Sequence, residues 1–200
     1  MKPIVYIVDD DDAMRHALCQ LLINDGLRVA AYADGPSFLR DCDGNSEGCV
    51  LLDQAMPGMT GEEVHAKLIA RGISIAVVFL TGHGDIPTAV SVVKSGAIDF
   101  LEKPIQGDLL LSRVRRALAL DRERRQAERE AREVRDRYAT LSPREREVMT
   151  LVVSGLSNKE IARKLNISHR TVEIHRIHTM QKMGANSLPA LVKFAAMCKS

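Results

Sequence analysis

The chain has no tryptophan, and aromatic residues make up only 4% of its 200 positions. The apolar composition is therefore mostly aliphatic. The longest apolar run, Ile75 to Leu80, is far shorter than the roughly 20 residues that span a bilayer. The N-terminus reaches the acidic run Asp9–Asp12 almost at once, which no secretory signal does. No membrane segment and a cytoplasmic location are therefore expected. The four cysteines (Cys19, Cys42, Cys49, Cys198) form no CxxC pair and no zinc spacing, and they read as reduced thiols. Residues 121–137 contain neither glycine nor proline. No stretch repeats another.

With 46% hydrophobic and 27% charged residues, the chain can bury a core, and its length suits one or two domains. The net charge of +2 conceals an asymmetry. Residues 1–120 carry −5, residues 121–137 carry +1 and residues 138–200 carry +6. The basic end suits a polyanion such as nucleic acid.

In the first 120 residues, near-continuous apolar runs at 4–8, 27–31, 49–52, 75–80 and 98–101 alternate with helical patterns such as Ala13, Met14, Ala17, Leu18, Leu21 and Leu22. That alternation predicts an α/β doubly wound, five-stranded parallel sheet with helices on both faces. Residues 121–137 hold 13 charged residues in 17, with acid–base pairs at helical spacing such as Glu128–Arg132, and predict a charged helical linker. Ala117, Leu120, Arg124, Ala127, Ala131, Val134, Tyr138 and Leu141 form a weak heptad seam, too poor in large apolar residues to hold a dimer firmly. Residues 138–200 predict four short helices, opened at Ser142 (with Pro143 and Glu145 completing a capping box), near Asn158, at Ser168 and at Asn186 or Ser187. The tight connection at Asn166-Ile167 inside a basic all-α segment predicts a helix-turn-helix.

Strand one ends before Asp9-Asp10, strand three before Asp53, strand four before Thr81 and strand five before Lys103-Pro104. Ligands of open parallel sheets sit beyond the carboxyl ends of the strands. Clustered carboxylates repel one another unless a cation compensates, and an all-oxygen site favours Mg²⁺. A carboxylate nucleophile, a metal, a hydroxyl and an ammonium are the equipment for taking a phosphoryl group onto an aspartate. Asp11 or Asp12 is expected to cap the first helix.

Val8-Asp9-Asp10, Leu52-Asp53 with Met56-Pro57-Gly58, Thr81-Gly82 and Lys103-Pro104 resemble the receiver domain of two-component response regulators. The run Thr81 to Pro87 resembles the FixJ-like branch more narrowly. The resemblance implies that Asp53 is the phosphoacceptor, charged by a sensor histidine kinase. It implies that Asp10, Asp53 and the Ala55 carbonyl bind Mg²⁺, with Asp9 assisting through water. Lys103, beside a cis peptide bond to Pro104, would pair first with Asp53 and then with the phosphoryl group. Thr81 and Phe100 would be a switch pair, with plain core packing the competing account of Phe100. Their movement would reshape the face formed by the fourth helix, fifth strand and fifth helix, and so promote homodimers. Ala55, where that branch commonly has arginine, and His83 stand where the family varies its dephosphorylation rate. No enzymatic turnover is implied beyond slow self-dephosphorylation.

Leu141 to Val148, Gly155 to Ala162 and Arg170 to His175 resemble the LuxR-type (NarL/FixJ) helix-turn-helix. The resemblance implies binding of double-stranded promoter DNA, with RNA polymerase as a further partner. The third helix would then read bases. Arg170, Glu173, Ile174 and Ile177 share one of its stripes, while Val172, His175, Thr179 and Met183 share the opposite one and read as core. The isoleucines suit thymine methyls and Glu173 suits cytosine N4. Lys159, Arg163, Lys164, His169, Arg170, Arg176 and Lys182 are expected phosphate contacts, with Asn158, Ser168 and Thr171 at the same interface. The resulting division is a receiver over 1–120, a linker over 121–137 and a DNA-binding domain over 138–200. Two other readings stand beside it. A phosphatase of the haloacid dehalogenase class would need Asp-x-Asp after strand one, and turnover of small phosphate esters would reveal it. A protein-binding helical module would lack steep salt dependence on DNA.

Overall fold

The computed structural model describes residues 3–82 and 96–198. The expected helix between the fourth and fifth strands, and with it His83, lies outside the described residues. So does that helix's share of the face expected to form homodimers. Two compact units divide the chain between Arg124 and Arg125.

In the first unit five parallel strands, β1 (Ile4–Val8), β2 (Arg28–Tyr32), β3 (Gly48–Asp53), β4 (Ala76–Thr81) and β5 (Asp99–Glu102), are ordered β2-β1-β3-β4-β5. This is the expected doubly wound sheet, and its order reverses at β1/β3, where the acidic strand ends meet. Alternation along each strand feeds two cores. Tyr6, Val8, Val50, Leu52, Val77 and Phe79 pack under α2 (Gly35–Asp41) and α3 (Gly61–Ala70). Val5, Ile7, Cys49, Leu51, Val78 and Leu80 pack under α1 (Asp12–Asn24) and the start of α4 (Gly107–Ala139). Asp11 caps α1, its carboxylate accepting from the N–H groups of Ala13 and Met14.

From β2 on, each strand ends one residue later than its apolar run; β2, β4 and β5 also start one residue later, and β3 one earlier. β3 and β4 include Asp53 and Thr81 as their last residues, because each still pairs across the ladder, Asp53 with Leu80 and Thr81 with Glu102. Helix α4 is continuous for 33 residues and runs through the whole charged stretch. Its early residues Leu110, Val114 and Ala117 are buried in the first unit. There Asp121 accepts from Gly48 N–H at 3.1 Å, at the edge of the sheet opposite the acidic strand ends. Its late residue Val134 is buried in the core of the second unit, as is Leu141 just past its end. Three members of the heptad seam are therefore spent inside the two cores rather than on a helix partner.

The second unit is helical: α5 (Pro143–Val153), α6 (Asn158–Leu165), α7 (His169–Met183) and α8 (Leu188–Met197). Ser142, Ser157, Ser168 and Ser187 are the N-caps, and the first two form full capping boxes with Glu145 and Glu160. The α6–α7 turn passes through Asn166 in the left-handed conformation (φ +53°), which asparagine tolerates better than most residues. Val148, Ile161, Val172, Met183 and Leu191 close the core.

Candidate functional site

At the carboxyl edge of the sheet, Asp9 is fully buried and Asp53 is 4% exposed, while Asp10 faces solvent. Their placement follows from the strands: Asp53 ends β3, and Asp9-Asp10 immediately follow β1, its sheet neighbour. One ammonium serves two carboxylates, with Lys103 Nζ 2.8 Å from Asp9 Oδ2 and 2.9 Å from Asp53 Oδ1. The remaining Asp9 oxygen accepts from Asp11 N–H at 2.9 Å. One oxygen from each of Asp9, Asp10 and Asp53 lies within 4.8 Å of the others.

Burial pushes the Asp53 carboxyl above the usual range; Lys103 pulls it back, and Asp9 and Asp10 push with burial. The Lys103 ammonium is held above its ordinary value. Burial pulls it down, but its bonds to Asp9 and Asp53 outweigh that. Fully ionised, three carboxylates face one ammonium among the described residues, leaving a negative excess there in a mostly buried place. An all-oxygen cluster with that excess, and with Asp10 accessible from solvent, fits a small hard cation such as Mg²⁺.

The other expected residues lie around this cluster. Thr81 is buried at the end of β4, and its carbonyl accepts from Lys103 N–H at 2.8 Å. The Lys103–Pro104 bond is cis. Phe100 pairs in register with Phe79 but is 37% exposed on the edge strand β5, so it is not simply a core residue. Ala55 is exposed in the loop after β3. That loop is pinned by Gln54 N–H to the Leu80 carbonyl and by Gly61 N–H to the Gln54 carbonyl. A side chain at Gly61 would collide with the Asp53 carbonyl, so glycine is what lets α3 start against the site. Arg15 was not singled out in the sequence. Its Nη1 donates to the Asp9 carbonyl at 2.7 Å, and it pairs with Asp12. Its i,i+3 spacing from Asp12 was the available signal.

On α7, Val172, Thr179 and Met183 are buried and His175 is half-buried. His169, Arg170, Ile174 and Ile177 are exposed, the last at 54%. Glu173 lies 3.5 Å from both His169 Nδ1 and Arg170 Nη1. Lys159, Arg163 and Lys164 are exposed on α6. Ser168 and Thr171 are engaged in the α7 cap. Arg176 Nη1 donates to Asn158 Oδ1 at 2.7 Å, tying α7 to the start of α6. Lys182 is committed to the buried Glu145, Nζ to Oε2 2.7 Å. That bond, followed by those from Ser142, outweighs the cost of burial and holds the Glu145 carboxyl down to about 2. The Glu145–Lys182 and Asn158–Arg176 pairs join residues far apart in the sequence, and no local spacing announces them.

Comparison with known proteins gives the same two parts. Residues 5–115 match the response regulator receiver domain, and residues 139–195 match the bacterial regulatory proteins of the luxR family. The chain is 44% identical to the transcriptional regulatory protein FixJ of Bradyrhizobium diazoefficiens, over 97% of this chain and 95% of that one. It is 42% identical to the tetrathionate response regulatory protein TtrR of Salmonella typhimurium, over 94% and 90%. Among solved structures it resembles the response regulator StyR with TM-score 0.88 and 40% identity, covering 98% of this chain and 99% of that one. Full-length FixJ from B. japonicum matches with TM-score 0.61 and 42% identity, covering 100% and 98%. The chain thus belongs to the two-component response regulators, as a FixJ-like transcriptional regulator that couples a receiver domain to a LuxR-type DNA-binding domain.

Proposed function

We propose that Asp53 accepts a phosphoryl group from the phosphohistidine of a sensor kinase, and that this acylphosphate promotes dimerisation and promoter binding. The observation that carries the proposal is the sharing of Lys103 between two buried carboxylates on adjacent strand ends, with Asp10 beside them. Asp10, Asp53 and the Ala55 carbonyl would hold Mg²⁺, with Asp9 assisting through water. When bound, the ion neutralises the carboxylates and the charge on the transferring phosphoryl oxygens.

The chain's own groups do the rest. An Asp53 carboxylate oxygen attacks phosphorus, the P–N bond breaks, and the imidazole keeps the electron pair and takes up a proton. Lys103 then exchanges its Asp53 oxygen for a phosphoryl oxygen while Asp9 retains it. The Thr81 hydroxyl donates to a second phosphoryl oxygen, and Phe100, half outside on β5, moves toward the space the threonine leaves. This is a bistable element biased by a local change of charge. Self-dephosphorylation is slow, and no substrate is turned over.

In the DNA-binding part, Glu173, Ile174 and Ile177 read base edges. Lys159, Lys164, His169 and Arg170 contact phosphates, and Asn158, Ser168, Thr171, Arg176 and Lys182 lie at the same interface, already tied to protein partners. RNA polymerase is the expected downstream partner, and a cytoplasmic location fits the absence, among the described residues, of any helix long and apolar enough to cross a membrane. Intact-mass measurement after incubation with a small phosphodonor and Mg²⁺ tests the central step. One phosphoryl group should be added, and none to Asp53→Asn or in the presence of chelator. Equal labelling of the asparagine variant overturns the assignment.

A further inference from the structure

Most of the residues proposed to read bases lie in the first two-thirds of α7, but its far end is held by residues outside the helix-turn-helix. Arg137, in the last turn of α4, donates from Nη1 to the Met183 carbonyl at 3.4 Å. Its guanidinium also lies over Gly184: a Cβ there would stand 2.9 Å from Nη1. With φ at +65°, Gly184 is therefore glycine for two reasons, the left-handed helix cap and the arginine above it. Next to this contact Lys182 Nζ reaches both Glu145 Oε2, 2.7 Å, and the Thr140 carbonyl, 3.5 Å.

Arg137 is itself well placed. Val134, on one side of it, is buried in the core of the DNA-binding unit, and Tyr138, on the other, is half-buried against that core. Arg146 lies 5.1 Å from the Tyr138 ring centre and donates to the Ala139 carbonyl at 3.1 Å. Glu133 stands 3.5 Å from Arg137 Nη2.

The terminal carbonyls of a helix lack intrahelical partners and carry partial negative charge, so a guanidinium there is favourable. Because the Arg137 side chain is 43% exposed, that contact adds little to stability. Its larger effect is geometric. Buried Val172, Thr179 and Met183 fix where α7 lies. Polar ties act on its inclination at two places, Arg176 to Asn158 at its middle and Arg137 beside Lys182 at its carboxyl end. We infer that Arg137 is a positioning residue for DNA recognition: it clasps the carboxyl end of the recognition helix and sets the inclination of its base-reading face. The inference rests on the reading of α7 as the helix that reads bases.

The test uses full-length wild type, Arg137→Ala, Arg137→Lys and Ile177→Ala, all treated with the same phosphodonor and Mg²⁺. The probes are a duplex selected by the wild type from a randomised pool and an unrelated duplex of equal length, each measured at several salt concentrations. Arg137→Ala should lower the ratio of specific to non-specific affinity about tenfold, within the range for one poorly read base pair. The salt slope should stay unchanged, and Arg137→Lys should recover most of the ratio. An unchanged ratio in Arg137→Ala overturns the inference when Ile177→Ala lowers it. A uniform loss on both probes with a salt slope shallower by about one makes Arg137 a phosphate contact and overturns it too. A uniform loss with the slope intact, tracking a smaller active fraction, reduces the residue to a fold-stabilising one and likewise overturns it. If Ile177→Ala leaves the ratio unchanged, the base-reading assignment of α7 fails first, and the role of Arg137 falls with it.

Discussion

Both parts of the chain bury carboxylates, and they treat them in opposite ways. In the receiver, Asp9 and Asp53 share one ammonium with Asp10 beside them, and the Asp53 carboxyl is driven upward. In the DNA-binding unit, Glu145 is as buried, yet Lys182 and the Ser142 cap satisfy it and hold its carboxyl down to about 2. Asp121, with Gly48 N–H and Arg124, is of the second kind. A buried carboxylate with a full set of donors is a brace. A cluster short of positive charge suits a cation, and it costs stability until one arrives.

The sharpest way to break this contrast is to neutralise one member of each kind. Asp53→Asn should abolish phosphoryl uptake entirely and, without Mg²⁺, raise the melting temperature, since one of the crowded charges is gone. Glu145→Gln should leave uptake intact and lower stability. Intact mass and calorimetry on the full chain decide; a destabilised Asp53→Asn protein would mean that the cluster is a brace as well.

The two carboxylates should also respond to pH with opposite sign. The carboxyl of Asp53 is raised in the fold, so the fold disfavours its charged form, and its contribution to stability falls as pH rises through the folded value. Glu145 is lowered from 4.5 to about 2, so its contribution is complete above 4.5 and is lost as pH falls toward 2. Glu145→Ala should cost about 1.5–3 kcal/mol at neutral pH, the range for a hydrogen bond to a charged group. That loss should shrink below pH 4. Hydrogen exchange of the α5 and α7 amides reports it; a loss independent of pH would show that packing, not charge, is what Glu145 supplies.

Mg²⁺ should widen the contrast from the other side. At 10–100 times its dissociation constant the ion should stabilise the receiver by about 1.4–2.7 kcal/mol. Asp10→Asn should remove most of that gain while leaving the DNA-binding unit unchanged. Thermal melts with and without the metal measure it; equal stabilisation of the Asp10→Asn protein would move the ion elsewhere.

The receiver site was open to sequence reasoning because its chemistry sits at strand ends. An apolar run stops, a polar residue follows, and four such stops converge once the sheet is parallel. What the runs missed is that the ladder continues one residue further, through Asp53 and Thr81, because backbone pairing does not depend on side-chain polarity. The caps of the DNA-binding helices were legible for a similar reason: Ser142 and Glu145 act at fixed local spacing. The contacts of Lys182, Arg176 and Arg137 were not, since each reaches 18 to 46 residues away. Nor did the periodicity of 117–141 say which partner its apolar positions would find, and Ala117, Val134 and Leu141 found their own cores.

The smallest expected effect separates two lysines that look equivalent in the sequence. Lys159 and Lys182 are both among the expected phosphate contacts of the DNA-binding unit. Lys159 is exposed at the start of α6, so its full charge is available to a phosphate. Lys182 stands 2.7 Å from the Glu145 carboxylate, which offsets its charge at any distance where DNA counterions respond. Counterion release counts net phosphate neutralisation, so Lys159→Ala should make the salt dependence of DNA affinity shallower by roughly one. Lys182→Ala removes an already paired charge and leaves Glu145 with a buried excess. It should change the salt slope by clearly less while lowering stability toward the level of Glu145→Ala. The double variant Glu145→Gln with Lys182→Ala should recover part of that stability, because neither charge is then left alone. Affinity for one duplex across a salt series, with melts of the same proteins, measures all three. Equal slopes for the two lysine variants would show that Lys182 leaves Glu145 to meet the phosphates, and that the brace in the DNA-binding unit opens when DNA arrives.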